Sequence, residues 1–438
     1  MWLITMNRNH SDAERIILSA IPRLISNNST PTTLDIDAFD SKVSIVIVQQ
    51  LAVALKSNSY LTTLNLSYNG INAEGAMHVA EVLKINKVLT TFRLHGNNLG
   101  DEGARHIAMA LKTNSTLTTL GLGRDKIGAV GAKHLAEALK NNSSIITFDL
   151  SHNKIGNEGA RHMAEALQMN CILHTCDLCN NEIGAEGAQH LAEALQVNSA
   201  LIMFNLSDNK IDVEGARHVA EALKVNRTLT TLELGCNDIG NEGAEHIAKA
   251  LRANSHLFIL DLSYNNIDVE GARYVADALR ANNTLVILNL FYNEIGVKGA
   301  RHVVEALKYN TTITGLGLDY ADTYDEDVDD VDIDVDTDVD TDLEWRKINT
   351  ELAQLTKANT SLSKQRRDAG SAFVACWVRA HRKNDEIEPL VGLPRELVTH
   401  VIVCMTRDGD PSPLDAWSTE ERRTWLGITP TCALTLMP

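Results

Sequence analysis

Leu61-Thr62-Thr63-Leu64-Asn65-Leu66-Ser67-Tyr68-Asn69 decides the fold, because its pattern restarts at residues 89, 117, 145, 173, 201, 229, 257 and 285. The offset is 28 residues each time, without insertion, which gives nine full repeats over 61–312 and a tenth strand opening at Ile313. A degenerate unit precedes them, with Leu34 and Ile36 in its strand and Val46 to Lys56 in its helix. A period of this length marks a solenoid, in which no unit buries its own apolar face. One unit offers about six large apolar side chains, each worth roughly 1.5–3 kcal/mol when buried. Ordering its backbone costs about 1–2 kcal/mol per residue. Stacking on neighbours supplies the missing burial.

Each unit reads as strand, turn, helix. The L-x-x-L-x-L phase puts Leu61, Leu64 and Leu66 in the core. Asn at the ninth place (Asn69, Asn97, Asn153, Asn181, Asn209, Asn237, Asn265 and Asn293) is placed to satisfy backbone groups where the chain leaves the strand. Asp125 takes that place once, and an ionised carboxylate cannot donate. The recurring glycine, first Gly75, lets the helix start lie close to the preceding turn. Ala76, Val79, Ala80 and Leu83 then share one helical face. Seven of nine units carry Glu before that glycine, and seven carry Lys or Arg at the helix end. Both signs suit the helix dipole.

The unit L-x-x-L-x-L-x-x-N-x-I-G-x-E-G-A-x-x-x-A-E-A-L-x-x-N resembles the leucine-rich repeats of ribonuclease inhibitor and, more closely, those of the NOD-like receptor family. The resemblance covers about 60% of the chain. It implies an α/β horseshoe solenoid, with parallel strands on the concave side and helices on the convex side. It also implies binding to another protein rather than catalysis. The chain lacks the cysteine richness of ribonuclease inhibitor and has no room for a nucleotide-binding domain.

The expected domains are a capping helix over 1–32, the repeats over 33–318, an acidic flexible linker over 319–344, and a small mainly helical region over 345–438. Ser11 and Glu14 have capping-box spacing at the start of the first helix. The net charge of −17 is concentrated: 319–344 holds 14 acidic groups and no basic one, so the rest carries −3. Nothing in that balance points to nucleic acid. Seven sparse cysteines fit a reducing compartment. No stretch is long and apolar enough for a membrane span. Met1–Met6 shows no basic, apolar leader, so the expected location is the cytosol, or the host cytosol for a bacterial effector. A monomer is expected.

Phase also names the outward strand residues. The early repeats present Arg93, His95, Arg124 and Lys126. The later ones present Asp149, Asp177, Asp208, Glu233, Asp238 and Asp261, and Tyr264, Phe291 and Tyr292 add aromatics. Aromatics beside charges make a candidate hot spot. Arg93, Arg124, Asp149, Asp177, Asp208, Glu233, Asp261, Tyr264, Phe291 and Tyr292 are therefore the candidate partner-binding residues, for a protein with a basic patch.

No catalytic, cofactor or metal residue is assigned, and the chain is read as a non-enzyme. Eight of the fifteen histidines share one repeat place, with Tyr274 as its exception. Adjacent helices pack about 8–10 Å apart, too far for neighbouring rungs to share a zinc bonded at about 2.0–2.1 Å. That file reads as packing and hydrogen bonding. Cys171, Cys176 and Cys179 fall at core and concave places and read as buried thiols. The Asp325–Asp342 run lacks the glycine and distal glutamate of a calcium loop. Lys364, Arg366, Arg367, Arg379, Arg382 and Lys383 form a basic stretch. Leu393-Pro-Arg-Glu-Leu397 resembles the opening of an F-box. A ubiquitin-ligase substrate adaptor is thus one alternative. A regulator of a small GTPase is another, because Ran GTPase-activating protein is similar in outline.

Overall fold

The computed structural model describes residues 12–27, 32–36, 43–318 and 339–381; in the last segment side chains are described from 343 to 364. The chain divides into two compact units, Met1–Ala353 and Gln354–Pro438. The first is an α/β solenoid. Its strands are β1 (Thr33–Asp35), β2 (Thr63–Asn65), β3 (Thr91–Arg93), β4 (Thr119–Gly121), β5 (Thr147–Asp149), β6 (Thr175–Asp177), β7 (Met203–Asn205), β8 (Thr231–Glu233), β9 (Ile259–Asp261), β10 (Ile287–Asn289) and β11 (Gly315–Gly317). They form one parallel sheet in sequence order, with each strand one repeat out of step with the next.

Between them run α1 (Asp12–Ser26), α2 (Ile45–Ser57), α3 (Asn72–Ile85), α4 (Gly100–Leu111), α5 (Ala129–Leu139), α6 (Gly156–Met169), α7 (Ala185–Val197), α8 (Asp212–Val225), α9 (Gly240–Ala253), α10 (Val269–Leu279) and α11 (Gly296–Leu307). After β11 comes α12 (Val339–His381). Strands pair about 4.8 Å apart and helices about 8–10 Å apart. The helix layer is thus wider per rung, and the sheet takes the inside of the curve.

The core lies between these layers. The fourth-place side chains run Leu64, Phe92, Leu120, Phe148, Cys176, Phe204, Leu232, all solvent-free and in register. Cys176 stands where most rungs have leucine, between two phenylalanines. Its small volume compensates for theirs, since interiors hold near-crystalline density. A Cβ on Gly159 would come within 2.3 Å of Ile155 Cγ2 and 3.2 Å of Ala132 Cβ. The repeated glycine therefore serves close packing onto both the turn and the previous helix.

Two asparagine ladders tie the rungs. Asn209 Oδ1 accepts from Asn181 N at 2.9 Å and Ile183 N at 3.0 Å; its Nδ2 donates to Leu178 O and Leu206 O, both at 3.0 Å. At the helix ends, Asn198 accepts from Ala200 N and Leu201 N and donates to Leu167 O and Asn170 O. In both ladders the amide reaches back to the preceding rung. Asp125 accepts from Asn97 N at 2.7 Å through Oδ1, while its buried Oδ2 meets no hydrogen-bond partner.

Helix starts are capped in two ways. Asn72 and Asp212 accept from their own helix, at Glu74 N and Glu214 N. Asp101, Asn157 and Asn241 instead reach the next helix. Asn157 Oδ1 accepts from Gly184 N at 2.7 Å and Gly187 N at 3.2 Å. Donors left orphaned at one helix start are thus met by a side chain from the unit before.

At the N-terminal end α1 lies on α2, with Asn58 Nδ2 donating to Leu24 O at 3.0 Å. Glu14 does not face its own helix start but accepts from Ser44 N at 2.9 Å; Ser11 lies outside the described residues. At the other end α12 takes in 339–344, which the sequence pattern assigned to the linker. Its Trp345 and Ile348 are buried, Glu344 pairs with Arg301, and Glu351 lies 3.2 Å from Lys308. Apolar Trp345 and Ile348 gain burial there, which extends the helix back into the acidic segment. The rest of the expected linker (319–338), the basic Arg382 and Lys383, and the F-box-like Leu393–Leu397 lie outside the described residues.

Candidate functional site

The exposed side of the sheet carries four files of side chains, from the third, fifth, seventh and eighth places. The fifth-place file runs Asn65, Arg93, Gly121, Asp149, Asp177, Asn205, Glu233, Asp261 and Asn289. Arg93 is exposed, and the four carboxylates are half-buried. The short acids also bond locally. Asp149, Asp177 and Asp261 each accept from the N–H two residues on, at 2.8, 2.9 and 2.8 Å. That bond fixes each carboxylate against its turn, so the file presents oriented acceptors.

These acids sit close enough to feel one another. Burial raises the Asp177 pKa above its usual value, and neighbouring Asp149 adds to the rise; the Cys179 N–H works the other way. Burial also raises Glu233, with Asp177 and Asp261 adding repulsion. A cationic partner would relieve both strains at once.

Arg124 is exposed, near His152 at 3.5 Å, and Asp208 is exposed and takes a hydrogen bond from Asn180. Tyr264 and Tyr292 stack face to face, centroids 4.2 Å apart and 13° between planes, with Phe291 tilted 6.3 Å from Tyr292. All three are exposed. The two tyrosines have φ of 52° and 54°, the left-handed region that disfavours bulky residues. The eighth place imposes that conformation on most rungs, so tyrosine there adds cost without core burial.

The chosen residues therefore fall in two groups. Asp149, Asp177, Glu233 and Asp261 share one file; Asp208, Tyr264 and Tyr292 share the eighth-place file beside it, with Phe291 at the seventh place. Arg93 and Arg124 lie toward the N-terminal rungs. The sequence pattern had one more signal to give. The third place points the same way as the fifth, and there Met203, Ile259 and Ile287 replace the threonine of other rungs. Ile287 is 41% exposed, a large apolar side chain on the same side of the sheet.

The histidine file lies on the helices. His78 meets Gln49 of the neighbouring helix at 2.9 Å, while His106 and His162 lie 3.3 and 3.2 Å from Glu102 and Glu158 of their own helices. Of the three clustered cysteines only Cys176 is buried. Cys171 is exposed and Cys179 half-buried, because loop and concave places keep their own exposure whatever residue fills them. Among the described residues no three His, Cys, Asp or Glu side chains are grouped to hold a metal ion. No described helix is long and apolar enough to cross a membrane.

A family model described as Leucine Rich repeat matches residues 57–80, 86–108, 141–164, 225–248, 253–276 and 281–302. These matches support a leucine-rich-repeat family, whose members are generally protein-interaction modules. No curated protein matches the chain. Among solved structures, the leiomodin-1 actin-binding site 2 is similar at 21% identity and TM-score 0.35, over 43% of this chain and 97% of that one. The tropomodulin C-terminal domain of Caenorhabditis elegans is similar at 14% identity and TM-score 0.27, over 48% of this chain and 92% of that one.

Proposed function

We propose that this chain is a non-catalytic recognition module of the ribonuclease-inhibitor type, close to NOD-like receptor repeats, which holds a protein with a basic patch on its concave face. The observation that carries the reading is the fifth-place file. Asp149, Asp177, Glu233 and Asp261 lie half-buried on one curved surface, and burial with mutual repulsion already disfavours the charge on two of them. Lysine and arginine side chains entering the curve would restore that balance, and complementary potential also speeds encounter. The monomeric chain acts in the cytosol in this reading, where its scattered thiols stay reduced.

The test is charge reversal. Asp149→Lys, Asp177→Lys, Glu233→Lys and Asp261→Lys together should abolish capture of the partner by affinity purification. Reversing as many glutamates on the helices should leave capture intact. Equal capture by both variants removes the concave face from the function.

A further inference from the structure

Five asparagines of the helix-end ladder carry a second motif. Asn114, Asn142, Asn226, Asn282 and Asn310 are each followed, two residues on, by a hydroxyl residue: Thr116, Ser144, Thr228, Thr284 and Thr312. Each is thus an Asn-x-Ser/Thr sequon, the acceptor of N-linked glycans, which ordinarily marks an exposed loop. Here all five are buried, from 1% exposed at Asn310 to 7% at Asn142. Asn141, a sequon through Ser143, is the exposed contrast beside them.

The accepting atom is Nδ2, which has two N–H donors. In the ladder both are taken. Asn226 Nδ2 donates to Leu195 O at 2.7 Å and Asn198 O at 3.2 Å. Asn282 Nδ2 donates to Leu251 O at 2.7 Å and Asn254 O at 3.1 Å, and Asn142 Nδ2 to Leu111 O at 2.9 Å and Asn114 O at 3.1 Å. Glycan transfer joins the anomeric carbon of a lipid-linked oligosaccharide to Nδ2. The N–H proton is lost and the lipid diphosphate leaves. One donor disappears, and the first sugar needs space that the carbonyls of the preceding rung already fill. The hydroxyls are not what holds the ladder: Thr228 Oγ1 is buried and meets no hydrogen-bond partner.

We propose that these five asparagines accept glycans only while the chain is unfolded, and that a glycan on any one of them keeps the solenoid from closing. Folding and modification at these sites then exclude each other. Each rung packs only on its neighbours, so a single glycan splits the stack at its own rung. A secretory lumen that holds the transferase and its lipid-linked donor does not yield the native fold. The inference is independent of what the concave face binds.

Two measurements test it. The full chain, purified folded from a bacterial cytosol, is incubated with oligosaccharyltransferase and lipid-linked donor, and the sites are read by mass spectrometry. Asn141 should be modified and the five ladder sites bare, whereas peptides of the same protein cut after glutamate should be modified at the ladder sites. A glycan on a ladder site of the folded chain overturns the proposal, and so do ladder peptides that the enzyme leaves bare. Secondly, the full chain behind a secretory leader is expressed in cultured cells, with every sequon hydroxyl replaced, Thr by Val and Ser by Ala. This background should be secreted in a protease-resistant form. Restoring Ser143, which revives only the Asn141 sequon, should add a glycan and leave secretion intact. Restoring Thr228 alone should add a glycan at Asn226 and abolish secretion. Protease-resistant secretion of the Thr228 chain, or retention of the background itself, overturns the proposal and leaves the concave-face reading standing.

Discussion

Asp149 Oδ2 lies 3.9 Å from His95 Nδ1, although β4 separates their strands. Two strand spacings come to about 9.6 Å. The approach is possible because Gly121 and Gly123 of the intervening rung present no side chain. The His95 ring lies where their Cβ atoms would be, and Gly123 N donates to Nδ1 at 3.0 Å. That bond assigns the ring proton to Nε2 while the imidazole is neutral.

Gly121→Ala should displace this ring, since the added Cβ would sit 2.3 Å from Nε2. The expected loss is about 1 kcal/mol, the worth of one hydrogen bond. In a His95→Ala background the same substitution should cost close to nothing. Urea denaturation of the four proteins gives the coupling, and additive losses would show that the glycine matters for another reason.

Asp125→Asn should stabilise the fold at neutral pH by about 1–3 kcal/mol, because it gives a buried orphan oxygen's position a donor. Burial drives the Asp125 pKa well above its ordinary 3.8, outweighing the backbone bonds that lower it. The folded state then holds the proton more tightly than the unfolded one. Stability from this site is full below pH 3.8 and is lost as pH rises through the raised folded value. The gap between wild type and Asp125→Asn should therefore widen from acid toward neutral pH in parallel melts. A gap that is constant or narrows would contradict this.

Cys176→Leu restores the leucine of most rungs yet should destabilise by about 1–3 kcal/mol, as overpacking between Phe148 and Phe204. Adding Phe204→Leu should recover part of the loss. The native Cys176 thiol, fully buried and with its pKa pushed up by that burial, should resist alkylation that modifies exposed Cys171 and Cys236. Thermal melts and site-resolved labelling check both halves.

Asn157→Ala should cost about 1 kcal/mol, the usual worth of an N-cap. Hydrogen exchange should rise at Gly184 and Gly187, at the start of α7, rather than in α6, where the residue itself sits. Faster exchange confined to α6 would place its role in its own helix.

The period of 28 residues made the strands, the helices, both core faces and the ninth-place asparagines legible in the sequence. What it hid was anything that depends on one rung meeting another. Asn157 looks like an ordinary first-turn residue until α7 is placed beside it. His95 and Asp149 are 54 positions apart, and only the two glycines between them let the pair meet. The third-place Ile259 and Ile287 were readable from strand alternation alone. They hid among a column of threonines that the same places hold elsewhere.

The ladders also have a direction. Asn209 serves the turn of the rung before it, and so do Asn97, Asp125, Asn153, Asn265 and Asn293. A turn is therefore finished by residues that follow it in the chain by 26 and 28 positions. For a polypeptide emerging N-terminus first from a ribosome, each newly made coil waits for its successor before its last amides are satisfied. Assembly of this protein is then a zipper that closes one tooth behind synthesis, and a stalled ribosome would hold a chain whose final coil alone is unlatched.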